Sequence, residues 1–412
     1  VSEVHVAAGS LRGAVLNPAA DGRLQVWPCA EVRWVGGRIS EVVACDGPAD
    51  RVLLPGFVDL HCHWPQSHVR GQFGGQLLPW LRGAIWPAEA AFADPSVASA
   101  RAEAFLAELL RAGTCAGLLF GPPFLDASLT LLERAPRGFF DGPALMECNA
   151  PDALLAPVAS TLDQLATVAP EVRRRLVVSP RFAPNVTAAG LDACGQVATR
   201  WRLAVQSHLS ENLDEVAWVR ALFPEALDYT DVYDRSGLLG PRTVMAHGIH
   251  LSERELARLA ATGTWVAHCP TSNEALQSGR MPLERLRAAG VSWVLATDIG
   301  AGPLLSQLDA MRAFVEIHRG FADATATEAL ARATVLPGQF LAQLDPACAG
   351  LGTLTPDAPA HVVALPLPPG HAGPRTSDDA EALLRAMLHS PRANLETLPC
   401  EVVCWGRTVA GA

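Results

Sequence analysis

Pro55-Gly56-Phe57-Val58-Asp59-Leu60-His61-Cys62-His63 is an apolar run that closes on two histidines separated by a single residue. Side chains of an extended strand alternate between its faces, so His61 and His63 emerge together while Cys62 points away. Two imidazoles placed in this way can both reach one ion at the about 2.0–2.1 Å of a zinc–nitrogen bond. An isolated pair of this kind is as a rule structural. It becomes a site only when further ligands arrive beside it.

Further ligands do arrive. His208 closes Leu203-Ala204-Val205-Gln206-Ser207-His208, His247 closes Val244-Met245-Ala246-His247, and Asp298 closes Val294-Leu295-Ala296-Thr297-Asp298. These runs belong to a series of strand-like segments: Phe57–His61, Thr114–Phe120, Ala144–Glu147, Leu176–Ser179, Leu203–Ser207, Val244–His247, Trp265–His268 and Trp293–Thr297. Between them, stretches such as Ser96–Arg111 and Ser252–Ala261 carry apolar residues at helical spacing. Strands alternating with helices build a parallel sheet, and eight repeats predict an α/β fold of the (β/α)8 barrel type. An open doubly wound sheet is the competitor, but Gly300-Ala301-Gly302 lacks the third glycine of a dinucleotide-binding turn. No Gly-x-Ser-x-Gly elbow occurs, which argues against a serine hydrolase.

In such a barrel the C-terminal ends of the strands converge on one face. Four imidazoles and one carboxylate meeting there form a donor set suited to zinc, with iron(II) as the alternative. Some barrel hydrolases bridge two metals with a carbamylated lysine. This chain contains no lysine, so that bridge is excluded and one ion per chain is expected. Glu211 follows in Ser207-His208-Leu209-Ser210-Glu211-Asn212. A carboxylate just past a ligand can lie beside the metal's water without binding the ion, which is where deamination needs a proton shuttle. The competing reading is a helix-entry glutamate favoured by the helix dipole. The surrounding ligand set favours the shuttle.

The flanks read differently. Ala30–Val35, the turn Gly36-Gly37 and Arg38–Val43 are short extended pieces near the start, and His361–Leu365 and Glu401–Trp405 match them near the end. Neither end can form a stable sheet alone, so residues 1–54 and 346–412 are expected to join in a small β-sandwich beside a catalytic barrel of 55–345. A chain of 412 residues, 50% apolar, can bury cores for both. A formal charge of −10, with Arg173-Arg174-Arg175 as the only short basic run, argues against a nucleic-acid partner and for a small neutral substrate. Ten scattered cysteines with no C-x-x-C unit read as reduced thiols of a cytoplasmic protein. Val1-Ser2-Glu3-Val4-His5 shows no secretory signal, and no run of about 18 apolar residues offers a membrane span.

Longer motifs narrow the class. They are Pro55–His63 followed by Gln66, Leu78-Pro79-Trp80-Leu81 with Trp86-Pro87-Ala88-Glu89, and Ser179-Pro180-Arg181-Phe182. Gln206–Glu215, Tyr229–Tyr233, Val244–Leu251, His268-Cys269-Pro270-Thr271-Ser272-Asn273 and Ala296–Gly302 complete the set. From Leu53 to Asp309 the chain resembles the amidohydrolase superfamily and, within it, the guanine deaminases. The resemblance implies zinc held by His61, His63, His208 and Asp298, with His247 polarising the attack and Glu211 and Asp298 moving protons. It also implies that Gln66 and Arg181 read the edge of the purine while Trp80 and Phe182 line its faces. Guanine would become xanthine and ammonia, and the protein would be a homodimer. Chemistry agrees: guanine has a carbonyl at C6, to which arginine can donate, and ring nitrogens that an amide can pair.

Several positions depart from the resembled pattern. Glu274 stands where an apolar residue is usual, Cys115-Ala116 replaces two threonines, Pro337 replaces a glycine, and His361 replaces an acidic residue. Glu274 is expected near the mouth of the pocket. A deaminase of 8-oxoguanine or a pterin is the nearest rival reading, since the same metal chemistry serves any such ring. A non-catalytic scaffold protein is the rival of another class, disfavoured because all six of His61, His63, His208, Glu211, His247 and Asp298 are present.

Overall fold

Strands β1 (Gly9–Pro18), β2 (Leu24–Val35), β3 (Arg38–Ala44) and β4 (Arg51–Pro55) precede the apolar run, which is itself β5 (Phe57–Cys62). Seven more strands follow it: β6 (Thr114–Gly121), β7 (Phe139–Leu145), β8 (Val177–Pro180), β9 (Ala204–Leu209), β10 (Thr243–His247), β11 (Trp265–His268) and β12 (Ser292–Leu295). The tail supplies β13 (Val362–Pro366), β14 (Glu401–Cys404) and β15 (Arg407–Gly411). The computed structural model describes residues 8–72, 76–368, 371 and 373–411, so the Val1–His5 stretch lies outside the described residues.

β5 to β12 are neighbours in strict sequence order in one eight-stranded sheet. The strands are parallel, and the expected (β/α)8 architecture is present as a nearly closed barrel. Parallel strands are covered on both faces, and β5, β6 and β7 are accordingly buried at every position. The amide of Asp298, just past β12, donates to the carbonyl of His61 in β5 at 2.9 Å, linking the last strand back to the first. The intervening helices begin where their caps say they should. Ser252 caps Glu253–Thr262 through a box with Glu255, and Asn212 caps Leu213–Leu222 through a box with Glu215.

One strand begins earlier than its pattern foretold. The expected Ala144–Glu147 is in fact β7, which starts at Phe139 and runs through Gly142-Pro143. Those two residues read as a break in an extended run. Gly142 is there because the neighbouring strand comes too close for a side chain: a Cβ would lie 2.0 Å from the Val177 carbonyl oxygen. Gly142→Ala is therefore expected to destabilise the protein by about 1–3 kcal/mol, read as a fall in the urea midpoint.

The two chain ends share a seven-stranded sheet ordered β15-β14-β13-β4-β1-β2-β3, which meets the expectation that they pair. β13 runs antiparallel to β4 with Val363 opposite Leu54. Val15, Val32, Trp34 and Leu53 from one end pack with Val362 and Val403 from the other in one core. β1, β4 and β15 went unread in the sequence; in β1 a bulge between Gly13 and Val15 breaks the alternation that marks a strand.

The described residues form two compact units. One comprises the residues up to Asp59 with Leu106–Gly117 and those from Leu305 onward; the other comprises Leu60–Phe105 and Leu118–Leu304. Among the described residues no helix is long and apolar enough to cross a membrane.

Candidate active site

Every predicted ligand sits at a strand's C-terminal end, as the pattern required. His61 and His63 leave the end of β5, His208 lies in β9, His247 closes β10 and Asp298 follows β12. The Nε2 atoms of His61 and His208 are each 3.1 Å from Nε2 of His63. Asp298 Oδ1 lies 3.4 Å from His61 Nε2 and 3.5 Å from His63 Nε2. Protons cannot satisfy so many converging acceptors at once, whereas a cation can. Burial holds His61, His63 and His208 below the usual imidazole range, which favours the neutral rings whose lone pairs bind a cation. For Asp298, burial pushes the carboxyl up, but the hydrogen bond and charge of His61, with His247 and His63 behind it, bring it below the usual range. The donor set fits a divalent ion.

Two of these residues are held in unusual backbone geometry. His247 has φ 73° and Asp298 φ 47°, in the left-handed region. Each such residue stores of order 1–3 kcal/mol, offset by its surroundings, and strain of this kind gathers at functional sites. His247 Nδ1 donates to Asn273 Oδ1 at 2.9 Å. That bond turns Nε2 toward Glu211 Oε2 at 3.4 Å and Asp298 Oδ2 at 4.0 Å. His208 Nδ1 donates to the Arg181 carbonyl at 2.5 Å, which fixes its tautomer and leaves Nε2 facing the cluster.

Glu211 is 2% exposed. Burial pushes its carboxyl up to about 7, with Glu215 and Asp298 adding to the rise and His247 and Ser278 opposing it. Its backbone is pinned by Glu215, whose Oε2 accepts from the Glu211 amide at 2.9 Å and the Asn212 amide at 3.2 Å. The other oxygen of Glu215 accepts from the Tyr229 hydroxyl at 2.7 Å.

These groups face a pocket whose walls include Gln66, Trp80, Arg181 and Phe182 together with His63, His208, Glu211, His247 and Asp298. All four residues expected to bind substrate thus reach the pocket. Between Gln66 and Arg181 stands a residue to which sequence reading assigned no role. Glu89 is fully buried; its Oε1 accepts from Gln66 Nε2 at 2.9 Å and its Oε2 from Arg181 Nη1 at 2.5 Å. Gly300 lies against Gln66, where a Cβ would come within 2.3 Å of Oε1. Glu274, by contrast, is exposed and does not line this cavity; Leu276 nearby does.

Comparison with known proteins agrees with this geometry. A probable guanine deaminase of Deinococcus radiodurans is 41% identical over 268 residues, 62% of this chain and 60% of the relative. The guanine deaminase of Escherichia coli (strain K12) is 35% identical over 288 residues, 68% of this chain and 66% of the relative. The chain thus spans less than two thirds of the length of either relative. The crystal structure of guanine deaminase from Bradyrhizobium japonicum superposes with a TM-score of 0.87 at 25% identity, covering 98% of this chain and 99% of that one. The Amidohydrolase family model matches residues 52–365, a span that runs from β4 to β13 and contains every strand-end ligand described above. By that match the chain belongs to the amidohydrolase family.

Proposed function

We propose that this protein hydrolyses guanine to xanthine and ammonia with one zinc ion per chain. One observation carries the substrate: a single carboxylate, Glu89, fixes both Gln66 and Arg181 in the wall of a pocket floored by the histidine cluster. Because Gln66 donates its amide N–H to Glu89, its carbonyl is left to accept a hydrogen bond from substrate. Arg181 has only donors. An acceptor beside a donor complements the N1–H and O6 of guanine and opposes the N1 and amino group of adenine. The relatives named guanine deaminase support the same reading.

His61, His63, His208 and Asp298 would hold the zinc. When bound, the ion supplies an acidified water, its pKa lowered toward ~7, as the nucleophile. Asp298 or Glu211 accepts the proton of the attacking water. Glu211 passes a proton to N3 as C2 becomes tetrahedral, and its raised pKa suits it to act first as base and then as acid near neutrality. His247 stabilises the charge that develops beside it; its imidazole, lowered by burial, is raised on balance by Glu211 and Asp298. As the C2–N bond breaks and the C2 carbonyl forms, the remaining hydroxyl proton passes by way of Asp298 or Glu211 to the departing amine, which leaves as ammonia. We extend the reading to a cytoplasmic homodimer, in keeping with ten cysteines that are all free thiols.

The direct test mixes zinc-loaded protein with guanine and follows xanthine and ammonia; stoichiometric release of both is the expected result, and none would refute the reading. Removing the metal with a chelator is expected to abolish turnover, and added zinc to restore it. His63→Ala should weaken the metal by more than the roughly 10–100-fold that losing an outer partner costs, as measured by metal content after dialysis.

A further inference from the structure

A second buried cluster of metal-ligating side chains takes no part in the chemistry above. It comprises Cys115 at the start of β6, His361 immediately before β13, and Cys404 at the end of β14. One ligand atom from each lies within 4.8 Å of the other two. The three residues are almost inaccessible to solvent. Cys115 and His361 are also two of the positions that depart from the resembled pattern, and the fold brings them to one place.

Their polar atoms are poorly satisfied. His361 Nδ1 has no hydrogen-bond partner among the described residues. Its Nε2 meets only the Cys404 sulfur, at 3.9 Å. The thiols make long contacts of their own, Cys115 Sγ to the Gly113 carbonyl at 3.6 Å and Cys404 Sγ to the Cys115 carbonyl at 3.7 Å. An imidazole left in this state bears the full desolvation penalty of its nitrogen. Gly56 backs the cluster so closely that a Cβ would sit 2.8 Å from His361 Cβ and 3.0 Å from Cys115 Sγ, so the space is reserved.

We propose that Cys115, His361 and Cys404 hold a second metal ion, a thiophilic divalent cation of the Zn2+ class. Two thiolates and a neutral imidazole are the donors such an ion prefers. Binding releases two thiol protons for one dication, so the buried cluster stays neutral, which a monovalent ion on two thiolates would not achieve. Zinc takes four ligands as a rule, and the fourth place falls to a donor other than a side chain, the Gly113 carbonyl being close by. The role is structural. Cys115 and Cys404 are 289 residues apart, and a clip across so long a loop restrains the unfolded chain.

Cobalt(II) titration of the metal-free full-length chain tests this without reference to turnover. Two Co2+ per chain are expected, with a thiolate-to-cobalt charge-transfer band in the near ultraviolet that depends on Cys404. Cys404→Ser should bind one Co2+, lose the band, and melt at a lower temperature than the loaded wild type. Should that variant fail to fold, Cys115→Thr with His361→Asp, the residue types of the resembled pattern, should give the same loss of band and ion. One Co2+ per chain without the band in wild type would overturn the proposal, as would a band that survives in both variants. A Cys115–Cys404 disulfide in the unreduced protein would overturn it as well.

Discussion

Glu211→Gln is expected to keep the metal and to lower guanine turnover by about 100- to 10,000-fold, the range a positioned acid–base group supplies. The substitution preserves shape and removes only the capacity to carry a proton. Glu211 Oε1 accepts from the Ser278 hydroxyl at 3.1 Å, a bond the amide oxygen can keep. The backbone is held independently by Glu215, so the turn between β9 and Leu213–Leu222 should not move. His63, His208 and Asp298 are unaltered, and metal content measured beside ammonia release separates a lost shuttle from a lost ion. Undiminished ammonia release from this variant would remove Glu211 from the mechanism.

Glu89→Gln should act on both stability and discrimination. The carboxylate is buried, and its partner Arg181 is 3% exposed. Neutralising one member of a buried pair leaves the other uncompensated, at a cost of about 3–5 kcal/mol. Turnover should suffer through position, since Glu89 acts through Gln66 and Arg181. A guanidinium and an amide no longer fixed by a charged acceptor lose interactions worth about 1.5–3 kcal/mol, or roughly 10–100-fold in kcat/KM. Because the contacts serve ground state and transition state alike, KM should rise more than kcat falls. The amide of Gln66 also becomes free to turn over and offer a donor to the ring. Relative activity on adenine should therefore increase. A variant equally stable, with an unchanged ratio of guanine to adenine activity, would show that Glu89 fixes neither residue.

What could be read from the chain follows from periodicity. His61 and His63 were legible because a strand has a period of two, and His208, His247 and Asp298 because each ends an apolar run. Their convergence then followed from the barrel, where strand ends share one face. Glu89 was not legible as an organiser: its partners lie 23 and 92 residues away on other elements, and no local pattern announces such a bond. Glu215 caps Leu213–Leu222 and also holds Glu211 and Tyr229, a second role that the spacing of the sequence does not announce. β7 was placed late because Gly142-Pro143 resembles a turn until the Val177 carbonyl is seen pressing on it. The Cys115, His361 and Cys404 cluster shares no motif at all, since the start of the barrel strand β6 and two strands of the tail, β13 and β14, assemble it.

The most direct test of the proposed activity compares ammonia release by zinc-loaded protein from guanine, 8-oxoguanine, isoxanthopterin, adenine and cytosine. With Glu89 holding an acceptor and a donor side by side, guanine should give the highest kcat/KM. Adenine, which reverses that edge, should trail it by about 10,000-fold or more, the scale set when buried hydrogen-bonding groups are left unmatched. A higher kcat/KM for any of the other four rings would contradict guanine as the substrate.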